Sequence, residues 1–239
     1  MVKRHLSRLN APRCWSVKRK GIKFITKVSP GPHKLKKSMP LSVIIRDLLK
    51  LAKTTSEVKK ILHKRIVLVN KKVITDYKFP IGLFDVIEFT KTKEYFRMLL
   101  TKSGKFFLKK TDASESAIKP FKIIGKTTLK KSLFQLNFDD GSNLLVKKGK
   151  YKVNDTIYMD LEKGAVKVHL PFSKGAIVYI LGGSKVASVG KLIEIKDNEI
   201  NLGAEGEFDL SAAEPYMVST LLLKRLDLRE VMQNLPGEL

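Results

Sequence analysis

Residues 41–89 read LSVIIRDLLKLAKTTSEVKKILHKRIVLVNKKVITDYKFPIGLFDVIEF. Leu41, Ile44, Ile45, Leu48, Leu49 and Ala52 recur at the i, i+3, i+4, i+7, i+8, i+11 spacing of one buried stripe, which predicts a helix beginning after Pro40. Thr54-Thr55-Ser56-Glu57 then has the form of a capping box, a side-chain oxygen three residues ahead of a carboxylate. It opens a second, shorter helix whose apolar side is Val58, Ile61 and Leu62 and whose other side is Lys59, Lys60, His63 and Lys64, with Arg65 just beyond. Short strands are predicted at Ile66–Val69 and Val73–Thr75, joined at Asn70-Lys71-Lys72. A third, Val86–Phe89, is reached through Phe79-Pro80-Ile81-Gly82. Two helices and a small sheet within about fifty residues make one compact module.

Outward from that module the chain is polarised. Residues 1–46 carry 13 Lys/Arg and no carboxylate, Asp47 being the first. Pro12, Pro30, Gly31, Pro32 and Pro40 exclude one continuous helix there. From Tyr95 onward the pattern changes to short alternating runs. Phe134–Phe138 turns at Asp139-Asp140-Gly141-Ser142 into Leu144–Val146, and Thr156–Leu161 turns at Lys163-Gly164 into Val166–Leu170. Gly175–Ile180 and Lys191–Ile195 follow, so one or two small β-barrels or rolls are expected. Residues 197–239 hold nine acids against three bases, and from Leu221 to Pro236 the pattern fits a short amphipathic helix.

The 239 residues hold 47 Lys+Arg against 23 Asp+Glu, a formal charge of +24, and 43% are hydrophobic. The chain can therefore bury real cores, yet its self-repulsion calls for a polyanionic partner. Heparin-like polymers and anionic membranes share that chemistry, but a pI near 10.0 is the usual footprint of nucleic-acid binding. Cys14 is the only cysteine, which excludes a disulfide framework and a cysteine-based zinc site. The longest apolar run, Ala176–Leu181, is strand-sized, and the basic N-terminus has no apolar segment behind it; a cytosolic protein is expected.

In the arm, Arg13, Trp15, Lys18, Arg19, Lys20, Lys23 and Phe24 interleave cations with aromatic rings. The cations suit phosphates; Trp15 either stacks on an unpaired base or packs on a core. Residues 1–40 are expected to be mobile away from RNA. On the second helix no acid lies between Lys59 and Lys72, so that cationic face also suits phosphate. Gly125-Lys126-Thr127-Thr128 resembles the end of a nucleotide-binding loop, but Pro120 stands where that loop needs glycine. His5, His33, His63 and His169 form no metal-spaced pair. Cys14 has no base held beside it, and Asp76 and Asp85 read as turn or cap residues rather than as an acid pair. No catalytic residue, metal site or cofactor is expected.

Three motifs carry a resemblance: Lys3-Arg4-His5-Leu6-Ser7-Arg8-Leu9-Asn10-Ala11-Pro12, Gly31-Pro32-His33-Lys34, and Thr75-Asp76-Tyr77-Lys78-Phe79-Pro80-Ile81-Gly82 with Asp85-Val86. Together they resemble the e-type family of small-subunit ribosomal protein four of archaea and eukaryotes, from Val2 to about Met217. The resemblance implies an α+β, multidomain chain: a basic arm (1–40), a small RNA-binding module of two helices and a sheet (41–102), a central β domain (103–171), a KOW-type, SH3-like β-barrel (172–218) and a tail (219–239). It implies a structural constituent of the small ribosomal subunit, in the cytoplasm, with ribosomal RNA and neighbouring ribosomal proteins as partners and neither a membrane nor a small-molecule substrate. The expected RNA-binding residues are Lys3, Arg4, Arg8, Arg13, Trp15, Lys18, Arg19, Lys20, His33 and Lys34 in the arm, and Lys59, Lys60, Lys64, Arg65, Lys71 and Lys72 in the module.

The chain departs from the family pattern twice. Asn70-Lys71 replaces the usual Asn-Gly or Asp-Gly hairpin, so a strained turn or another turn type is expected. Ser188-Val189-Gly190 lacks the basic residue often found before that glycine, which moves the expected RNA contacts toward the N-terminal half. The alternatives are an RNA-modifying enzyme, since the same module occurs beside catalytic domains, and a transcription or ribosome-assembly factor, since KOW-type barrels occur there.

Overall fold

The computed structural model describes residues 5–130, 133–147, 149–173, 175–182, 186–196, 199–202 and 217–219. The chain divides into two compact units: Met1–Lys119 with Asp139–Ser142 and Met159–Ala165, and Pro120–Phe138 with Asn143–Tyr158 and Val166–Leu239. Strands dominate, with few helical segments, in an α+β arrangement.

In the first unit the predicted first helix is shorter than its stripe. One α-helical turn, Leu41–Val43, continues as a π-helical turn, Ile44–Leu48. Leu49 N–H donates to the Ile44 carbonyl and Leu51 N–H to that of Ile45, and Lys50 then takes a left-handed φ of 55° that ends the segment. Leu41, Ile44 and Ile45 are fully buried as the periodicity requires, while Leu51 lies outside the helix and exposed. The second helix, Thr55–His63, starts where the capping box places it: Thr54 Oγ1 accepts from Glu57 N–H at 3.2 Å, and Glu57 Oε2 accepts from Thr54 N–H. Val58 and Leu62 point into the core.

Beside these helices lies an antiparallel five-stranded sheet in the order Lys72–Val73, Val67–Val69, Val86–Phe89, Glu94–Leu100, Phe106–Thr111. The pairs Val67↔Phe89 and Val69↔Ile87 put four buried apolar side chains on the core face. The last two strands pair from Tyr95↔Thr111 to Leu100↔Phe106, so the sheet crosses the boundary expected at residue 102. The Asn70-Lys71 turn is of the primed type that suits a twisted hairpin, with φ 50° and 64°. Asn70 tolerates that region; Lys71 carries the strain.

The arm packs against this core, contrary to the mobility expected of it. Leu6–Ser7 pairs with Phe24–Ile25, and Ala11, Trp15 and Ile25 join the cluster of Met39, Leu41 and Val43. Trp15 is only 1% exposed, and its indole N–H donates to the Ser38 carbonyl at 2.7 Å. Phe106 N–H donates to Cys14 O, and Ser16 Oγ to Phe106 O, which fastens residues 14–16 along the outer strand. Buried apolar area and edge hydrogen bonds outweigh the repulsion that composition alone emphasises.

A second five-stranded sheet, Asn143–Val146, Leu133–Phe138, Ile118–Leu129, Thr156–Asp160, Val166–Leu170, runs largely through the second unit. Ile123, Leu136 and Ile157 are buried, and the Phe121 and Phe138 rings pack 5.3 Å apart. Gly125 sits within a strand opposite Asn137 rather than in a phosphate-cradling loop, as Pro120 foretells. A four-stranded sheet follows, in the order Glu199–Leu202, Val189–Lys196, Ile177–Ile180, Met217–Ser219, its last pair parallel. Val178, Ile180 and Leu192 form its small core with Phe172. The helix expected from Leu221 lies outside the described residues.

Candidate nucleic-acid interface

The Thr55–His63 helix is amphipathic in the sense that matters for a polyanion. With Val58 and Leu62 inward, Lys59, Lys60, Lys64 and Arg65 are exposed, as is Lys72 on the hairpin. Among the described residues none of these five forms an ion pair. Lys59 Nζ lies 4.6 Å from the centre of the Tyr77 ring and Lys78 Nζ 5.4 Å, which fixes the base of the face without neutralising it. Lys71 is different. Its ammonium is half-buried between Glu88 at 3.0 Å and Glu162 at 3.3 Å. Burial acts against its charge, but the two carboxylates outweigh it and raise its pKa. It is an internal ion-pair member in this structure, not a free cation.

The arm's expected contacts divide the same way. Arg13, Lys18, Lys20 and Lys34 are exposed and unpaired among the described residues. Arg8 is buried and donates through Nη1 to the Lys18 carbonyl at 3.0 Å. Arg19 donates to the carbonyls of Arg8, Ala11 and Pro12. Both guanidinium groups hold the arm's loop in shape, a use of Arg that a count of positive charges does not reveal. Trp15 has no ring face open to a base, so its packing reading holds and its stacking reading does not. Lys3 and Arg4 lie outside the described residues.

His33 faces inward too, with Nε2 2.9 Å from Asp85 Oδ2. Asp85 is 1% exposed and accepts also from Asn70 Nδ2 at 2.8 Å, Gly82 N–H at 2.8 Å and Lys119 Nζ at 2.7 Å. Lys119 is buried in turn and reaches Asp140 at 3.3 Å. Burial alone would push the Asp85 carboxyl up, but Lys119, with His33 and Asn70, holds it well below the usual carboxylate range. Ionised Asp85 only accepts, so His33 Nε2 is the donor. Gly82 makes room for this: a Cβ there would meet the His33 ring at 2.5 Å. Thus Asp76 is the turn residue expected, its Oδ1 capping Lys78 N–H at 2.9 Å, while Asp85 is the hub of a buried network. Sequence reasoning missed Lys119, whose partner is 34 residues away. The Cys14 thiol is pushed up to about 11, first by burial, so it is protonated at neutral pH and a poor nucleophile.

Three family models match the chain: the RS4NT domain over residues 2–36, the S4 domain over 39–87 and Ribosomal family S4e over 92–166. Small ribosomal subunit protein eS4 of Methanocella arvoryzae is 37% identical over 196 residues, 82% of this chain and 82% of its own length. The chain belongs to the ribosomal family S4e. Its relative of the same name in Pyrobaculum islandicum is 40% identical over 195 residues, covering 80% of this chain and 82% of its own. The crystal structure of the 30S ribosomal protein S4e from Thermoplasma acidophilum superimposes with a TM-score of 0.61 at 27% identity, over 70% of this chain and 87% of that one. The S4 match, residues 39–87, spans the helix that carries Lys59, Lys60 and Lys64 and the hairpin that carries Lys72, so this family's RNA-binding domain and the unpaired cationic face coincide. Among the described residues, no helix is long and apolar enough to cross a membrane, and no group of three His, Cys, Asp or Glu could hold a metal ion.

Proposed function

We propose that the chain is a structural, non-catalytic constituent of the small ribosomal subunit, working in the cytoplasm on ribosomal RNA beside neighbouring ribosomal proteins. The observation that carries this is the exposed face of Lys59, Lys60, Lys64, Arg65 and Lys72, unpaired among the described residues in a chain of +24. Its natural counter-charge is phosphate. Arg13, Lys18, Lys20 and Lys34 extend the same chemistry along the arm. Of the residues expected to touch RNA, Arg8, Trp15, Arg19, His33 and Lys71 instead hold these elements in place. The domain reading that goes with this is an arm at 1–40, a module at 41–102 with its sheet carried to Thr111, a central β domain to 171, a KOW-type barrel at 172–218 and a tail beyond.

The lysines are point charges without the planar fork that reads a base edge, so they act on the RNA backbone, and the shape of the helix pair and hairpin does the placing. Lys60→Ala and Lys64→Ala, each in the full chain, are expected to weaken binding of small-subunit RNA and of an unrelated structured RNA about equally. Each should reduce the slope of log affinity against log salt by about one. Filter binding at several salt concentrations measures both. No loss on either RNA would mean that these lysines only keep the module soluble, and a loss confined to the small-subunit RNA would assign them to base reading.

A further inference from the structure

The pairing of Leu6–Ser7 with Phe24–Ile25 sorts side chains by face. Leu6 and Ile25 turn to the core; Ser7 and Phe24, opposite one another in the register, turn out, and His5 is on that same outer side by alternation. Phe24 is 50% exposed, with the His5 ring 5.5 Å away at 44° and Lys23 Nζ 5.5 Å from its centre. Ile22 next to it is 73% exposed, at the end of a loop turned by Gly21 at φ 108°. Lys18, Lys20 and Lys23, within six residues of Phe24 along the chain, are exposed, and no acid precedes Asp47 in the sequence.

An exposed aromatic ring on an arm that carries cations and no carboxylate selects its partner. A basic protein surface is repelled, and a membrane would need a larger apolar area than two rings and an isoleucine supply. A nucleotide offers what the site lacks, a flat π face with a phosphate on either side. Resting on the RNA-binding reading above, we propose that Phe24 is a stacking platform for an unpaired base, with His5 as its side wall and Lys18, Lys20 and Lys23 on the flanking phosphates. The arm thus divides its aromatic residues: Trp15 anchors it to the core and Phe24 faces the RNA.

The test compares Phe24→Ala and Phe24→Tyr in the full chain against two probes, a single-stranded oligoadenylate and a blunt RNA duplex of equal charge. Phe24→Ala should weaken the oligoadenylate by roughly 5- to 150-fold, the range for losing one base–aromatic stack, and leave the duplex unchanged. Phe24→Tyr should bind both like the parent. The fluorescence of Trp15, the single tryptophan, should be the same in all three and so report an intact arm. Unchanged oligoadenylate affinity in Phe24→Ala, or an equal loss on both probes, overturns the platform while leaving RNA binding in place; the unchanged case would point to a neighbouring protein as occupant. A parent chain that binds neither probe overturns the platform and the RNA reading together.

Discussion

Raising monovalent salt from about 50 to about 200 mM is expected to weaken the complex of the full chain with small-subunit ribosomal RNA by roughly 10³–10⁵-fold. The magnitude follows from which cations are free. Arg13, Lys18, Lys20, Lys34, Lys59, Lys60, Lys64, Arg65 and Lys72 are exposed and without ion pairs among the described residues, whereas Arg8, Arg19 and Lys71 are spent on internal partners. Neutralising roughly 6–10 phosphates releases about 0.9 counterion each, so the affinity falls steeply as salt rises. The same titration on Arg8→Ala separates the two groups. Arg8 acts by holding the Lys18 carbonyl, so its loss should alter stability and leave the slope near that of the parent, where loss of a phosphate contact would lower it by about one. A slope near zero for the parent chain would remove the electrostatic basis of the interface.

The second large effect is on folding. Asp85→Ala is expected to destabilise the first unit by about 3–5 kcal/mol in a denaturant titration, because breaking a buried pair leaves an uncompensated charge. Lys119, 3% exposed, would lose the carboxylate 2.7 Å from its ammonium, and the His33, Asn70 and Gly82 donors would lose their acceptor. Asp85→Ala combined with Lys119→Met should recover part of the loss by removing the stranded charge as well. The pH dependence has a fixed sign. The Asp85 carboxyl is lower in the folded chain than in the unfolded one, so its contribution is complete above the unfolded value near about 4 and is lost as pH falls toward the folded value. Parent and Asp85→Ala should therefore differ constantly through neutral pH and converge only in acid. A loss under about 1 kcal/mol would mean that the network is solvated rather than buried.

What was legible in the sequence was local. The capping box at Thr54–Glu57 and the Val86–Phe89 strand appear where spacing and β-branched content place them, because both depend on residues within one turn or one strand. The helix from Leu41 was legible as a buried stripe but not in its length, since the left-handed backbone at Lys50 has no periodic signature. The Asn70-Lys71 turn kept its primed geometry without glycine because Asn70 is fastened from both ends, donating to Asp85 and accepting from Val86 N–H. The candidate site was harder to read, for a physical reason. Arg8 and Lys20 look alike in a composition, yet one is buried against the Lys18 carbonyl and the other faces solvent, and only the loop they share decides which. Trp15 and Phe24 likewise read as two aromatics in one basic arm until the register at Leu6↔Ile25 and Ser7↔Phe24 separates inside from outside. Long-range pairs such as Asp85–Lys119 leave no trace in spacing at all.

The central claim is that this chain is a stoichiometric part of the small ribosomal subunit and not a factor or enzyme that visits it. Quantifying the chain across a sedimentation profile of the cells that make it tests that directly. About one copy per small subunit, staying with the particle at low salt and released as salt rises, is the result predicted here. A chain present at far below one copy per subunit, or sedimenting mainly free of the particle, would contradict it.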